Sequence, residues 1–214
     1  MLYQMCKIVL HLVCWPYFRI RSFGKENIPK TGGILFISNH ASYLDPPLIG
    51  MHIPGKVYYM AKKELFDFSL FSWFLGKLNA IPIKRGGVDR EALKRCRGIL
   101  DQGNALLLFP EGTRTRDGDL GSVKPGAAML VADLTQVAIL PVYIHGTYRA
   151  LPRGKWLPRP NKISIFFGIP FKIPQKGVAM DKKTYYKSIS NRFQEALVRL
   201  KKNTDFSMNK IQKG

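Results

Sequence analysis

Ile34-Leu35-Phe36-Ile37-Ser38-Asn39-His40-Ala41-Ser42-Tyr43-Leu44-Asp45-Pro46-Pro47 is the stretch that decides how this chain reads. Residues 34–37 form a short apolar run after Gly32-Gly33, which suits a buried strand. Pro46 steers Asp45 away from the helical backbone region, the conformation an N-cap needs. Proline is also favoured at the first helical position. The expected local structure is strand, tight loop, short helix, with His40 at the strand's exit and Asp45 as the cap. Fully extended chain would hold the two residues roughly 17 Å apart. A loop that doubles back brings the carboxylate to one imidazole nitrogen. There it fixes the tautomer and leaves the other nitrogen to accept a proton. A core histidine beside an ordinary capping aspartate accounts for the same residues, so the rest of the chain has to decide.

Outward from this stretch, strands alternate with helices. Residues 57–61 read as a second strand ending in Lys62-Lys63-Glu64, and residues 80–84 as a third ending in Lys84-Arg85-Gly86-Gly87. Between them, residues 65–78 carry Phe66, Phe68, Phe71, Trp73 and Phe74 on almost every side, which suits a buried or membrane-facing helix. Asp89 is placed to cap a helix that has Leu93, Cys96, Ile99 and Leu100 on one face and Gly103 at its end. Residues 105–109 form a continuous apolar run typical of a strand buried on both faces. Pro110-Glu111-Gly112-Thr113-Arg114-Thr115-Arg116 follows, where Gly112 permits a sharp turn and Thr113, Arg114 and Arg116 offer donors suited to phosphate. Glu111 can orient an arginine or a substrate hydroxyl. A surface turn with solvated charges is the ordinary reading of such a loop.

Lys124-Pro125-Gly126 opens a helix of small residues, and residues 137–144 read as a fifth strand whose Pro141 points to an edge or a bulge. His145-Gly146-Thr147 follows at its exit. Residues 149–160 form a basic, proline-rich surface loop with Trp156, and residues 162–167 another short strand. From about 182 to 202, Tyr185, Ile189, Phe193 and Leu197 recur at helical spacing. This alternation predicts one α/β domain with a largely parallel sheet flanked by helices. Ligands gather at the carboxyl ends of such strands, where all of these polar clusters fall.

Composition narrows the partners. The 214 residues fit one domain, and 46% hydrophobic content supplies a full core. The net charge of +20 requires an anionic partner: nucleic acid, an anionic membrane, or phosphate-bearing substrates. Cys6, Cys14 and Cys96 have neither metal nor redox spacing, which argues for reduced thiols, and the four histidines form no zinc pattern. The N-terminal stretch 1–20 is apolar and aromatic but broken by Lys7, His11, Pro16 and Arg19. It is too short and interrupted for a bilayer span and has no small-residue cleavage site. Its Trp, Tyr and basic residues suit a segment lying at a membrane interface. Residues 1–24 are therefore expected to be that segment and 25–214 the main α/β domain.

Asn39-His40 with Asp45, followed by Phe109-Pro110-Glu111-Gly112-Thr113-Arg114, resembles the glycerolipid acyltransferase family. The closest branch is the 1-acylglycerol-3-phosphate (lysophosphatidate) acyltransferases, and the match runs from about residue 27 to residue 147. Ile83-Lys84-Arg85-Gly86 and the run from Leu140 to Thr147 resemble two further family motifs. Asn79 stands where the family more often has glycine. The resemblance implies acyl transfer from acyl-CoA or acyl-carrier protein to a lysophospholipid hydroxyl, such as the sn-2 hydroxyl of lysophosphatidic acid, which makes phosphatidic acid. It implies His40 as general base, Asp45 as its orienting acid, and Lys62, Arg85, Glu111, Gly112, Thr113 and Arg114 around the phosphate. No nucleophile elbow of the Gly-x-Ser-x-Gly type occurs, so the hydroxyl is expected to attack directly, without an acyl-enzyme. No cofactor or metal is expected. The expected location is the cytoplasmic face of a membrane. Another acceptor, such as glycerol 3-phosphate or a different lysolipid, and a non-catalytic basic module that binds membrane or nucleic acid are the alternatives.

Overall fold

The computed structural model describes residues 2–84 and 87–213. Seven strands form one sheet: β1 (Arg21–Phe23), β2 (Ile34–Ser38), β3 (Val57–Lys62), β4 (Ala80–Ile83), β5 (Ala105–Leu108), β6 (Ala138–His145) and β7 (Ser164–Phe167), in the order β1-β7-β6-β2-β5-β3-β4. The five strands from β6 to β4 are mutually parallel, while β7 is antiparallel to β6 and parallel to β1. All five residues of β2 are buried, as a strand with neighbours on both edges and helices on both faces must be.

Side chains alternate between the two faces and so make two cores. Leu35, Ile37, Leu106, Leu108 and Ile139 pack against α4 (Arg90–Asp101), α5 (Pro125–Val131) and α7 (Lys182–Lys213). Phe36, Leu107 and Leu140 face the other way, onto α1 (Leu2–Phe18) and α2 (Asp45–Gly50). The Asp89 cap holds as expected: its Oδ1 accepts from Ala92 N at 3.0 Å. Asn79 has φ +62°, a left-handed conformation that only glycine and asparagine enter readily, and this explains its replacement of a more usual glycine.

Three expectations need correction. Asp45 is not the cap of α2 but its first residue, with Leu44 in the cap position; its carboxylate has other work, described below. Of the two readings of Pro141, the edge is excluded and the bulge holds, since the register slips by one residue between the Val142–Phe167 and Ile139–Phe171 pairs. Strand β6 lies between β7 and β2, and the Pro141 carbonyl accepts from Gly168 N on the β7 side. The N–H that proline lacks would point to that same side, where the ladder is interrupted between the Val142–Phe167 and Ile139–Phe171 pairs. The third correction is an addition: Arg21-Ser22-Phe23, within the segment set apart as N-terminal, joins the sheet as β1.

Helix α1 is docked on the α/β body and still leaves an apolar stripe outside. Tyr3 Oη accepts from Val57 N, Lys7 Nζ donates to Ile53 O, and Tyr17 Oη donates to Pro158 O. Met5, Ile8, Leu12 and Trp15 remain exposed. His52 sits under this helix, its ring 5.7 Å from that of His11, with Nδ1 donating to Leu48 O. Burial, with the charges of Lys25 and Lys7 nearby, pulls its pKa down to about 4. The aromatic segment after β3 ends in α3 (Ser69–Lys77), where Phe68, Leu70 and Trp73 are exposed instead of buried. Among the described residues no helix is long and apolar enough to cross a membrane.

Candidate active site

The connections diverge at the centre of the sheet. From β2 the chain moves to α2 on one face, and from neighbouring β5 it moves to α5 on the other. A crevice opens outside the carboxyl ends of two such strands. Both sequence blocks, the one holding His40 and the one holding Glu111 to Arg114, lie there.

Asn39 ends the strand with its side chain. Its Oδ1 accepts from Ile144 N at 2.8 Å and its Nδ2 donates to Ile144 O at 3.0 Å, so the buried amide supplies one more rung between β2 and β6. The backbone of His40 is thereby released from the sheet and is held by the other block. Its N–H donates to Glu111 Oε1 at 2.8 Å, and its carbonyl accepts from Thr115 N at 2.8 Å. Its ring stacks on Phe109, centroids 4.0 Å apart and planes 22° apart.

Asp45 fixes that ring. Oδ2 lies 2.9 Å from His40 Nδ1 and accepts from Ala41 N and Ser42 N, each at 2.7 Å. The side chain is fully buried, and Oδ1 has no hydrogen-bond partner among the described residues. Because Oδ2 also gathers two backbone N–H groups, the loop closes back on itself and the carboxylate reaches the ring. With Nδ1 donating to a carboxylate, Nε2 is the nitrogen left to accept a proton.

Glu111 is buried, and burial raises its pKa against the opposing effect of the backbone N–H groups of His40 and Gly121. Its second oxygen accepts from Gly121 N at 2.8 Å. Both oxygens are therefore occupied by backbone, so the carboxylate braces the two loops instead of facing a substrate. Gly121 has to be glycine here, since a Cβ would stand 2.6 Å from Glu111 Oε2.

Gly112 has φ +70°, as its sharp turn requires, and Thr113 beside it is exposed. The Arg114 guanidinium lies 3.5 Å from the centroid of the Tyr43 ring, within the loop that joins His40 to Asp45. Its Nη1 is buried with no hydrogen-bond partner among the described residues. The guanidinium is thus held on an aromatic face beside the His40 loop. Lys62 is on the same rim but farther away, at the end of β3. Strand β5 intervenes, so about 10 Å separates β3 from β2. Lys62 Nζ pairs with Glu64 at 3.1 Å, both largely exposed. Arg85 lies outside the described residues.

Sequence reasoning did not find Phe109, Tyr43 or Gly121 as parts of the site. Phe109 and Tyr43 lie within the two motif stretches, which was the available signal; Gly121 gave none. Among the described residues no group of His, Cys, Asp or Glu is arranged to hold a metal ion.

The acyltransferase family profile matches residues 19–145, more than half of the chain, and the chain belongs to that family. Three of the similar proteins are named for 1-acyl-sn-glycerol-3-phosphate or 1-acyl-sn-glycerophosphate acyl transfer. It is 34% identical over 152 residues to the chloroplastic 1-acyl-sn-glycerol-3-phosphate acyltransferase LPAT1 of Arabidopsis thaliana, covering 69% of this chain and 42% of that protein. It is 29% identical over 170 residues to the 1-acyl-sn-glycerol-3-phosphate acyltransferase of Bacillus subtilis (strain 168), covering 79% and 82% respectively. The chain spans less than half the length of the chloroplastic relatives it matches. The crystal structure of the 1-acyl-sn-glycerophosphate acyltransferase PlsC from Thermotoga maritima superposes with a TM-score of 0.73 at 27% identity, covering 93% of this chain and 79% of that one.

Proposed function

We propose that this protein transfers a fatty acyl group from a thioester, acyl-CoA or acyl-carrier protein, to the sn-2 hydroxyl of 1-acylglycerol 3-phosphate. The observation that carries this reading is the meeting of two features at the loop from His40 to Asp45. His40 is oriented through Nδ1 by buried Asp45, and Arg114, from the connection after β5, lies over Tyr43. One group serves a proton transfer and the other a phosphate, and lysophosphatidic acid offers both a hydroxyl and a phosphate. The names of the relatives agree with this choice.

Nε2 of His40 takes the hydroxyl proton as the oxygen attacks the thioester carbonyl. Asp45 stabilises the imidazolium that forms. As the carbon–sulfur bond breaks, the imidazolium returns the proton to the departing thiolate, so no acyl-enzyme is needed. Arg114, with Thr113 and the Gly112 backbone beside it, holds the acceptor's phosphate, and Lys62 adds a cation to the same rim. Glu111 acts through the loop and not on the substrate. The exposed apolar stripe of α1 and the excess of basic residues suit an enzyme working at the surface of an anionic, cytoplasm-facing bilayer.

The test is thiol release by purified protein across a panel of lysolipids and acyl donors. Release with 1-acylglycerol 3-phosphate is expected to fall by about a hundred- to ten-thousandfold in His40→Ala, with the melting temperature changed little. A folded His40→Ala variant with near-normal turnover refutes the assigned base. Release with glycerol 3-phosphate alone would move the acceptor assignment elsewhere in the family.

A further inference from the structure

A second cleft, of about 470 Å³, opens at the exit of β6 between the end of α1 and the segment leading into β7. Arg19, Arg149 and Lys162 supply its charge, with Tyr17, His145 and Asn161 completing the wall. No carboxylate lines it, and none of its three cations takes part in an ion pair among the described residues. Like charges gathered without a counter-charge raise the local potential and favour an anion.

The backbone provides an independent observation. Helix α1 ends in a Schellman turn: Ile20 N donates to Trp15 O, and Arg19 N donates to Pro16 O. The position between takes a left-handed conformation that favours glycine, yet it holds Arg19, at φ +45°. This turn fixes Arg19 at the end of α1, on the wall of the cleft. The opposite wall is held firmly. Asn161 Nδ2 donates to Gly146 O at 2.8 Å, and a Cβ on Gly146 would stand 2.2 Å from Lys162 O.

An adjoining groove of about 220 Å³ shares His145 and Arg149 with the cleft and is lined at its other side by Ala41, the residue after His40. That groove carries Asp117, Asp119 and Asp205, with Lys201 paired to Asp119 at 2.8 Å. Its carboxylates disfavour an anion and accept an uncharged polar arm.

We propose that the Arg19–Arg149–Lys162 cleft binds a phosphate ester, and, resting on the acyl-transfer reading, that the ester belongs to the thioester donor. The acyl carbonyl then lies at His40, the uncharged pantetheine arm runs along the groove, and the carrier's phosphates sit among the three cations. The headgroup of a bilayer phospholipid offers the same chemistry, and the test separates the two sources.

Free CoA is titrated by calorimetry into the full-length protein and into the Arg149→Ala/Lys162→Ala double variant; both side chains are exposed, so the fold is undisturbed. The dissociation constant is expected to weaken by about tenfold or more, as loss of charge-assisted contacts implies. The KM for a long-chain acyl-CoA should rise in step, while that for the same acyl group on N-acetylcysteamine, which has no phosphate, should not. His40→Ala is expected to bind CoA like the unaltered protein, so loss of the proposed reaction and loss of this site are read separately. Flotation with phosphatidylcholine vesicles, with and without phosphatidate, is the second arm. If the double variant loses only its phosphatidate-dependent flotation and keeps its CoA affinity, the ester is a lipid headgroup and the donor assignment is overturned. If neither CoA affinity nor flotation changes, the cleft is no phosphate site.

Discussion

The exits of β2 and β6 are neighbours on one rim, yet they are finished in opposite ways. At β2 the polar groups hold one another: Asn39 bonds to β6, Glu111 bonds to two loops, and Asp45 gathers the ring and two N–H groups. At β6 the cations of Arg19, Arg149 and Lys162 face an open cleft with no carboxylate. A proton transfer demands a fixed ring, which the bonds to Asp45 and Glu111 supply. Binding an anion demands charge without an ion-pair partner, and the β6 exit gathers three such cations.

The sharpest way to break this comparison is Asp45→Asn. The amide carbonyl can still face the three donors, but the negative charge is lost and an NH₂ replaces the buried Oδ1 that has no partner. Turnover should fall by roughly a hundredfold or more, and stability by about 1–3 kcal/mol, read by steady-state kinetics and urea denaturation. Binding of CoA should be unaffected, because the change lies wholly at the β2 exit.

Acid should loosen the wall that α1 lends to the cleft. His52 has a folded pKa of about 4 against 6.5 unfolded. The unfolded chain therefore takes the proton first as pH falls. Stability is complete above about pH 6.5 and declines progressively down to about 4, by at most about 3 kcal/mol. His145, also lowered by burial, adds to the same slope. Urea midpoints between pH 7 and 4 should show the decline, and His52→Gln should flatten most of it.

Gly121→Ala should cost about 1–3 kcal/mol by pushing Glu111 off its backbone partners. Turnover should fall with it, because the N–H of His40 loses its acceptor. The check is a lower denaturant midpoint at constant m-value together with the reduced turnover. The smallest effect is expected on the open side. Arg19→Gly removes left-handed strain and should stabilise the protein by up to about 1 kcal/mol, read from its thermal midpoint, while binding CoA more weakly. If it destabilises instead, the end of α1 is not under the strain assigned to it.

Much of this architecture was legible because burial on both faces leaves its mark in sequence. The apolar runs of β2 and β5 and the cap at Asp89 read directly. Strand β1 did not, since Arg21-Ser22-Phe23 has no pattern of its own and pairs with residues more than a hundred positions away. Pro141 left edge and bulge open because sequence does not say which side of a strand lacks its partner. At the site, His40, Asp45 and Arg114 were named from the motifs, but Asp45 was given the wrong helical position, and the bonds from Glu111 to His40 N and Gly121 N were not foreseen. Both have one source: a carboxylate's partners here are backbone N–H groups, which every residue has and no sequence marks. The cleft was invisible for a related reason, since it joins residue 19 to residues 145–149 and 160–162, which only the closed sheet brings together.

The rung supplied by Asn39 has a chemical consequence over the protein's lifetime. Hydrolysis of that one amide to an acid would replace a donor with an oxygen opposite the Ile144 carbonyl and set two lone-pair-bearing atoms face to face. An ageing reaction that alters a single atom would thus unfasten β2 from β6 at the point where the histidine leaves the sheet. Enclosure of the side chain, which keeps water from it, is accordingly also a safeguard of catalytic longevity.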